Sequence, residues 1–132
     1  MAETTSKPFW FVPYDRQDFE TVASFVGPGW KDILSKLTEK LFKLGWDGGL
    51  EQVKEKFGGL RFYWQNNIQD PTLASIADDV VEVAEWRSTQ TCEECGKYGK
   101  TRGDGWIYTL CDEHWDETVA ARSGRGKESG VE

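Results

Sequence analysis

Val53-Lys54-Glu55-Lys56-Phe57-Gly58-Gly59-Leu60-Arg61-Phe62-Tyr63-Trp64 is the stretch on which the fold class turns. Two runs of alternating side chains meet at a Gly-Gly pair. That pattern predicts a β-hairpin with a two-residue turn, because glycine takes positive φ without steric cost. Pairing Phe57 with Leu60 sets Val53 opposite Trp64 and Glu55 opposite Phe62, so these six share one side of the ribbon. Lys54, Lys56, Arg61 and Tyr63 share the other. Glu55 then sits among apolar neighbours and needs either a specific donor or a place at the periphery. Lys56 faces Arg61 with Lys54 one step along, so like charges stack where alternation would be cheaper. That face is either a solvated strand surface or a contact for an anion or acidic partner, which makes Lys54, Lys56, Arg61 and Tyr63 candidate partner-binding residues.

Helical patterns flank the hairpin. Trp30, Ile33, Leu34, Leu37, Leu41 and Leu44 recur at steps of three and four, with lysines opposite and Gly45 as a stop. Behind the hairpin, Asp70 and Pro71 form a cap and first turn. The helix they open carries a stripe of Leu73, Ile76, Ala77, Val80, Val83 and Ala84 and an acidic exterior of Asp78, Asp79, Glu82 and Glu85. Trp86 falls near the acidic face. It is expected to pack on the segment that follows, or else to serve as a partner-binding anchor. Nearer the N-terminus, Asp15 to Val26 has helical spacing and ends at Gly27-Pro28-Gly29. Phe9 to Val12, framed by Pro8 and Pro13, reads as an edge strand or an aromatic recognition arm.

All three cysteines and the one histidine lie between residues 92 and 114, as Cys92-Glu93-Glu94-Cys95 and Cys111-Asp112-Glu113-His114. Thiolates and an imidazole arriving as two close pairs suit a tetrahedral Zn²⁺. The expected ligands are therefore Cys92, Cys95, Cys111 and His114, all supplied by protein, which marks a structural zinc and not a catalytic one with an open position. Gly96 suits a metal knuckle, Arg102-Gly103-Asp104-Gly105 a hairpin turn, and Cys111 with His114 the start of a helix. Together these describe a treble-clef-like module. The expected fold is α+β: a hairpin, extended to three antiparallel strands if the 9–12 segment joins it, packed on helices with the zinc module at the C-terminal end. Residues 1–8 read as flexible, 9–90 as the core, 91–122 as the zinc module and 123–132 as a flexible tail.

Composition narrows the function. Net charge is −7 over 132 residues, which disfavours non-specific binding to nucleic acid or acidic membranes. No apolar run is long enough to span a membrane and no signal-peptide order is present, so the chain reads as cytoplasmic. A nuclease or other hydrolase needs a general base near its metal, and the one histidine is already spent as a ligand. A nucleic-acid reader would draw on Lys97, Lys100, Arg102 and the hairpin lysines, with interleaved aromatics such as Tyr98, Trp106 and Tyr63. A non-catalytic protein-binding or regulatory module fits the acidic surface and surplus aromatics better.

The run Val53–Tyr63, with Thr91-Cys92-Glu93-Glu94-Cys95-Gly96 and Gly105 to His114, resembles a family of small uncharacterised proteins of bacteria, phages and prophages. The resemblance covers roughly residues 30–115; residues 1–28 are additional to its usual pattern. It implies a mobile-element origin and an accessory role in the host cytoplasm, such as binding and inhibiting a host or defence protein. An acidic surface that imitated nucleic-acid phosphates would bind a basic partner with steep salt dependence.

Overall fold

The computed structural model describes residues 12–13, 19–103 and 105–131. Strand β1 (Val12–Pro13) is followed by a short helix α1 (Phe19–Ala23), a 3-10 turn (Pro28–Trp30) and helix α2 (Lys31–Lys43). The hairpin strands are β2 (Gly49–Lys56) and β3 (Gly59–Trp64), and the long helix α3 is Pro71–Ser88. A second hairpin, β4 (Lys100–Arg102) and β5 (Tyr108–Leu110), precedes helix α4 (Asp112–Val131). The fold is α+β, with a three-stranded antiparallel sheet in the order β1-β2-β3 and a separate two-stranded sheet. Val12 pairs with Leu50 and Pro13 with Gly49, so a third strand does join the hairpin at its edge. Residues 9–11 and 15–18, with the rest of the edge-strand and first-helix expectations, lie outside the described residues. Helix α4 takes in residues 123–131, for which the composition predicts a tail. Among the described residues no helix is long and apolar enough to cross a membrane.

The hairpin is present but its register differs from the expected one. Lys56 pairs with Gly59, Glu55 with Leu60, Lys54 with Arg61 and Val53 with Phe62. The two turn residues are Phe57 and Gly58, at φ +56° and +79°, and not the Gly-Gly pair. Both positive-φ positions of a tight turn could have fallen on glycine, yet a non-glycine residue takes one of them. Two long-range contacts account for the choice. The Thr109 hydroxyl donates to the Gly58 carbonyl, and a Cβ at Gly58 would sit 2.9 Å from that hydroxyl. The Glu55 carboxylate accepts the Gly58 amide at 2.7 Å, which gives Glu55 its donor. The pairing shifts by two, so the faces keep their membership. Val53, Leu60 and Phe62 are buried, while Phe57 swings out into the exposed turn. Lys54, and not Lys56, now stands opposite Arg61.

Helix α2 buries Ile33, Leu34, Leu37, Thr38 and Leu41, and Trp30 is fully enclosed beside it. Each large side chain so buried contributes about 1.5–3 kcal/mol relative to exposure. Trp46 adds edge-on contacts to Phe62 and Trp64 at 6.0 and 6.1 Å. Helix α3 starts as expected, with the Asp70 carboxylate accepting from the amides of Thr72 and Leu73. Its buried face is Ala77, Val81, Ala84 and Ser88, rotated away from the expected stripe. Leu73, Ile76 and Val83 are exposed. The sheet edge explains the rotation. Ser88 Oγ accepts the Leu60 amide at 2.8 Å and the Glu85 carboxylate accepts the Phe62 amide at 2.9 Å, so α3 closes the open edge of β3 with side-chain acceptors. Unpaired strand amides are costly, and satisfying them outranks burying the larger apolar residues. Trp86, expected to pack on the metal segment, is exposed.

Candidate metal centre

The four ligand candidates converge. Their donor atoms all lie within 4.8 Å of one another. Cys95 Sγ and Cys111 Sγ are 3.8 Å apart, and Cys92 Sγ lies 3.6 Å from His114 Nδ1. A regular tetrahedron with metal–sulfur bonds of about 2.3 Å and metal–nitrogen bonds of about 2.05 Å has edges of about 3.8 Å between sulfurs and about 3.6 Å from sulfur to nitrogen. Cys111 Sγ to His114 Nδ1 is tighter, at 3.2 Å. The donor set and its spacing fit one tetrahedral ion, with Nδ1 as the imidazole donor.

Local sequence builds each corner. The first pair sits on a turn in which the Gly96 amide donates to the Cys92 carbonyl at 3.0 Å and the Cys92 amide to the Lys97 carbonyl at 2.7 Å. Gly96 adopts φ +82°, as its place directly after the second cysteine requires. The second pair is held where β5 runs into α4. The Trp115 amide bonds the Cys111 carbonyl, which puts Cys111 just ahead of the first turn and His114 inside it. Asp112 and Glu113 occupy that first turn, where the helix dipole favours carboxylates. Asp112 also pairs with Arg102 of β4, and the guanidinium holds its carboxyl below the usual range.

The electrostatics describe a site short of positive charge. Burial pushes the Cys92 thiol up, but the amides of Cys111, Cys95 and Glu94 together outweigh that and bring it to about 7. For Cys95 the Lys97 amide favours the thiolate, yet desolvation and the neighbouring sulfurs of Cys92 and Cys111 hold the thiol above its ordinary value. Contact with the Cys111 sulfur raises His114 against the opposing effect of desolvation. The Cys92 thiolate forms readily, and that of Cys95 is resisted. A divalent cation removes that resistance.

Glu93 is a participant that sequence reasoning missed. Its carboxylate accepts the Thr109 amide at 2.7 Å while its own amide donates to the Thr109 carbonyl at 2.9 Å, so it stitches the first ligand pair to β5. Burial raises its pKa. Glu93→Ala leaves the Thr109 amide without its acceptor and is expected to cost about 1–3 kcal/mol in denaturant unfolding. Glu93→Gln keeps an oxygen acceptor and is expected to stay within about 0.5 kcal/mol of the parent. Equal losses in the two variants would refute the acceptor role.

Gly27 and Gly29, read from sequence as a helix stop, turn out to be the seat of the first pair. The Gly29 amide donates to the Glu93 carbonyl at 2.7 Å, and the indole N–H of Trp30 donates to the Thr91 carbonyl at 2.8 Å. A turn signal carries no hint of a distant partner, so nothing local could have revealed this. Of the candidate partner-binding residues, Lys54, Lys56, Arg61 and Tyr63 lie together on the outer face of the hairpin, and Trp86 lies apart on α3. No protein-family model, curated protein or solved structure matches the chain.

Proposed function

We propose that this chain is a non-catalytic protein-binding module, stapled by a structural Zn²⁺ in a treble-clef-like frame of knuckle, β4–β5 hairpin and helix-borne second ligand pair. Zinc is the reading because three thiolates and an imidazole in a four-donor tetrahedral set are its characteristic ligands. All four donors come from the chain, which leaves the ion a structural task.

One observation supports the binding role above the others. Lys54 stands directly across from Arg61, next to Lys56 and the exposed rings of Tyr63 and Phe57, and no carboxylate among the described residues pairs with these three cations. Opposed like charges on neighbouring strands are destabilising, so the arrangement is better explained by an anionic partner than by the fold. The lysines already lie over the aromatic rings, Lys54 at 5.9 Å from Tyr63 and Lys56 at 5.6 Å from Phe57. That holds the charges in place for an acidic segment. The accessory, partner-inhibiting role implied by the family resemblance would be exercised through this face.

A second reading, a nucleic-acid reader, draws on the exposed rings of Tyr98 and Trp106 together with the exposed Lys97 and Lys100. Affinity capture from host lysate separates the two. The parent chain is expected to retain a stoichiometric protein that Lys54→Glu/Arg61→Glu releases, and to lose it as salt rises. Co-purifying nucleic acid without a protein partner, unaffected by that double variant, would overturn the hairpin reading in favour of the reader.

A further inference from the structure

We infer that the outward flank of α3 is a second docking surface, one that takes a basic amphipathic helix of a partner protein. The inference rests on the reading of the chain as a protein-binding module and adds a separate surface and the chemistry of what sits on it.

Leu73, Ile76 and Val83 are 36, 43 and 55% exposed, and Val80 between them is half-buried. Residues 73, 76, 80 and 83 follow the i, i+3, i+7, i+10 progression of one helix face, so they form a continuous apolar line about 15 Å long. Of this line the core uses only Val80, because α3 has turned its alanines and Ser88 inward to reach α2 and the edge of β3. An apolar line at helical spacing is the complement of a second helix lying along it. One turn beyond Val83, Arg87 reaches a cavity of about 560 Å³ lined also by Lys31 and Ser35 of α2. Its other walls are the 3-10 turn and the first ligand turn, so it lies off the end of the line. On the opposite side stands Trp86, 63% exposed, an amphipathic ring of the kind favoured as an anchor.

Charge selects the occupant. Asp79 lies three residues from Ile76 and four from Val83, and Glu82 lies four before Trp86, so the outer border of the line is acidic. Asp79 and Glu82 are exposed, Arg87 past the end of the line is the one cation on α3, and the whole chain carries −7. A second copy pairing through the same face would bring Asp79 and Glu82 of one protomer against those of the other, which like-charge repulsion opposes. Anionic lipid and nucleic acid meet the same repulsion. A helix with apolar residues on one side and lysine or arginine on its flanks satisfies both features at once.

The test is a titration of the metal-loaded, full-length, ¹⁵N-labelled chain with a synthetic helical peptide of about 18 residues, leucine on one face and lysine on the flanks. A matched peptide with glutamate flanks serves as the control, and an unstructured acidic peptide probes the hairpin. The lysine peptide is expected to shift amides of residues 73–87 and to weaken as salt rises. Ile76→Glu and Val83→Glu are each expected to reduce its affinity at least about tenfold without altering the circular dichroism, because both side chains are exposed. No shift with the lysine peptide would overturn the inference. So would equal binding of the glutamate peptide, affinity indifferent to both variants, or sedimentation showing a dimer that Val83→Glu dissociates. If the lysine peptide fails while the acidic peptide still shifts Lys54 and Arg61, the α3 surface falls and the hairpin reading stands; the reverse result removes the hairpin and keeps α3.

Discussion

Stripping the ion with a chelator, or replacing Cys92 or Cys111 with serine, is expected to lower the melting temperature by roughly 20 °C. Structural zinc in small modules is worth about 10–16 kcal/mol of binding free energy, which is folding free energy wherever no preformed site survives without it. Only part of that is expected here, since the buried cluster from Val22 to Ala84 is built without the module and outlasts its loss. A loss of even about 5 kcal/mol, at about 4 °C per kcal/mol for a domain of this size, gives the stated shift. The damage should not stop at residue 91. The Thr109 hydroxyl holds the Gly58 carbonyl, and Glu93 holds Gly29, so the hairpin turn and the 3-10 turn loosen with the module. Amide exchange should therefore accelerate at residues 57–59 and 27–30 as well as after 91. Acid acts in the same direction. Cys92 titrates near 7 in place of its ordinary 9.0, so the thiolate is available above about pH 7 and is lost as pH falls through that value. Metal affinity should fall steeply below pH 7, as protons compete for several ligands together. The checks are one equivalent of metal by elemental analysis, the visible bands of tetrahedral cobalt on substitution, and melting curves with and without chelator. An unchanged melting curve after complete metal removal would refute the structural role.

The parts of this fold that are legible in the sequence are those fixed by short-range chemistry. Asp70-Pro71 marks the start of α3, Gly45 with φ +107° ends the turn after α2, and Cys-x-x-Cys with Cys-x-x-His declares four donors that do come together. Alternation in residues 53–64 identifies the two faces of the hairpin correctly, since a shift of two in pairing leaves side chains on the same side. What the sequence does not disclose is decided by distant partners. Thr109 and Glu55 place the hairpin turn one residue early, and the amides of Leu60 and Phe62 rotate α3 about its axis by demanding Ser88 and Glu85. Helical periodicity reports that an apolar stripe exists. It cannot report which neighbour competes for the face beside it, and so Leu73, Ile76 and Val83 read as core when they are surface.

Gly29→Ala is the substitution in which the junction between core and metal module should show itself most sharply. A Cβ at this position would fall inside van der Waals distance of the Cys92 carbonyl oxygen and 2.6 Å from the Gly96 amide nitrogen, both backbone atoms of the turn that carries the first ligand pair. Backbone cannot step aside as a flexible side chain can, so the turn and the knuckle must separate. Overpacking of this kind costs typically about 1–3 kcal/mol and occasionally more; with the Gly29–Glu93 hydrogen bond broken as well, about 3 kcal/mol or more is expected. Gly29 does not have a positive φ. Its own conformation therefore admits alanine, and the whole penalty depends on the folded knuckle pressing against it. Once Cys92→Ser and Cys111→Ser have released the metal and unfolded the module, the same change should cost nothing and even stabilise the remaining core by about 0.4–1 kcal/mol, through the reduced entropy of the unfolded chain. The effect changes sign between the two backgrounds. A double-mutant cycle by denaturant unfolding measures this as a coupling energy of about 3.5–4 kcal/mol, beyond the usual range for directly contacting residues. Additive costs in the cycle would mean that the 3-10 turn and the knuckle are energetically independent.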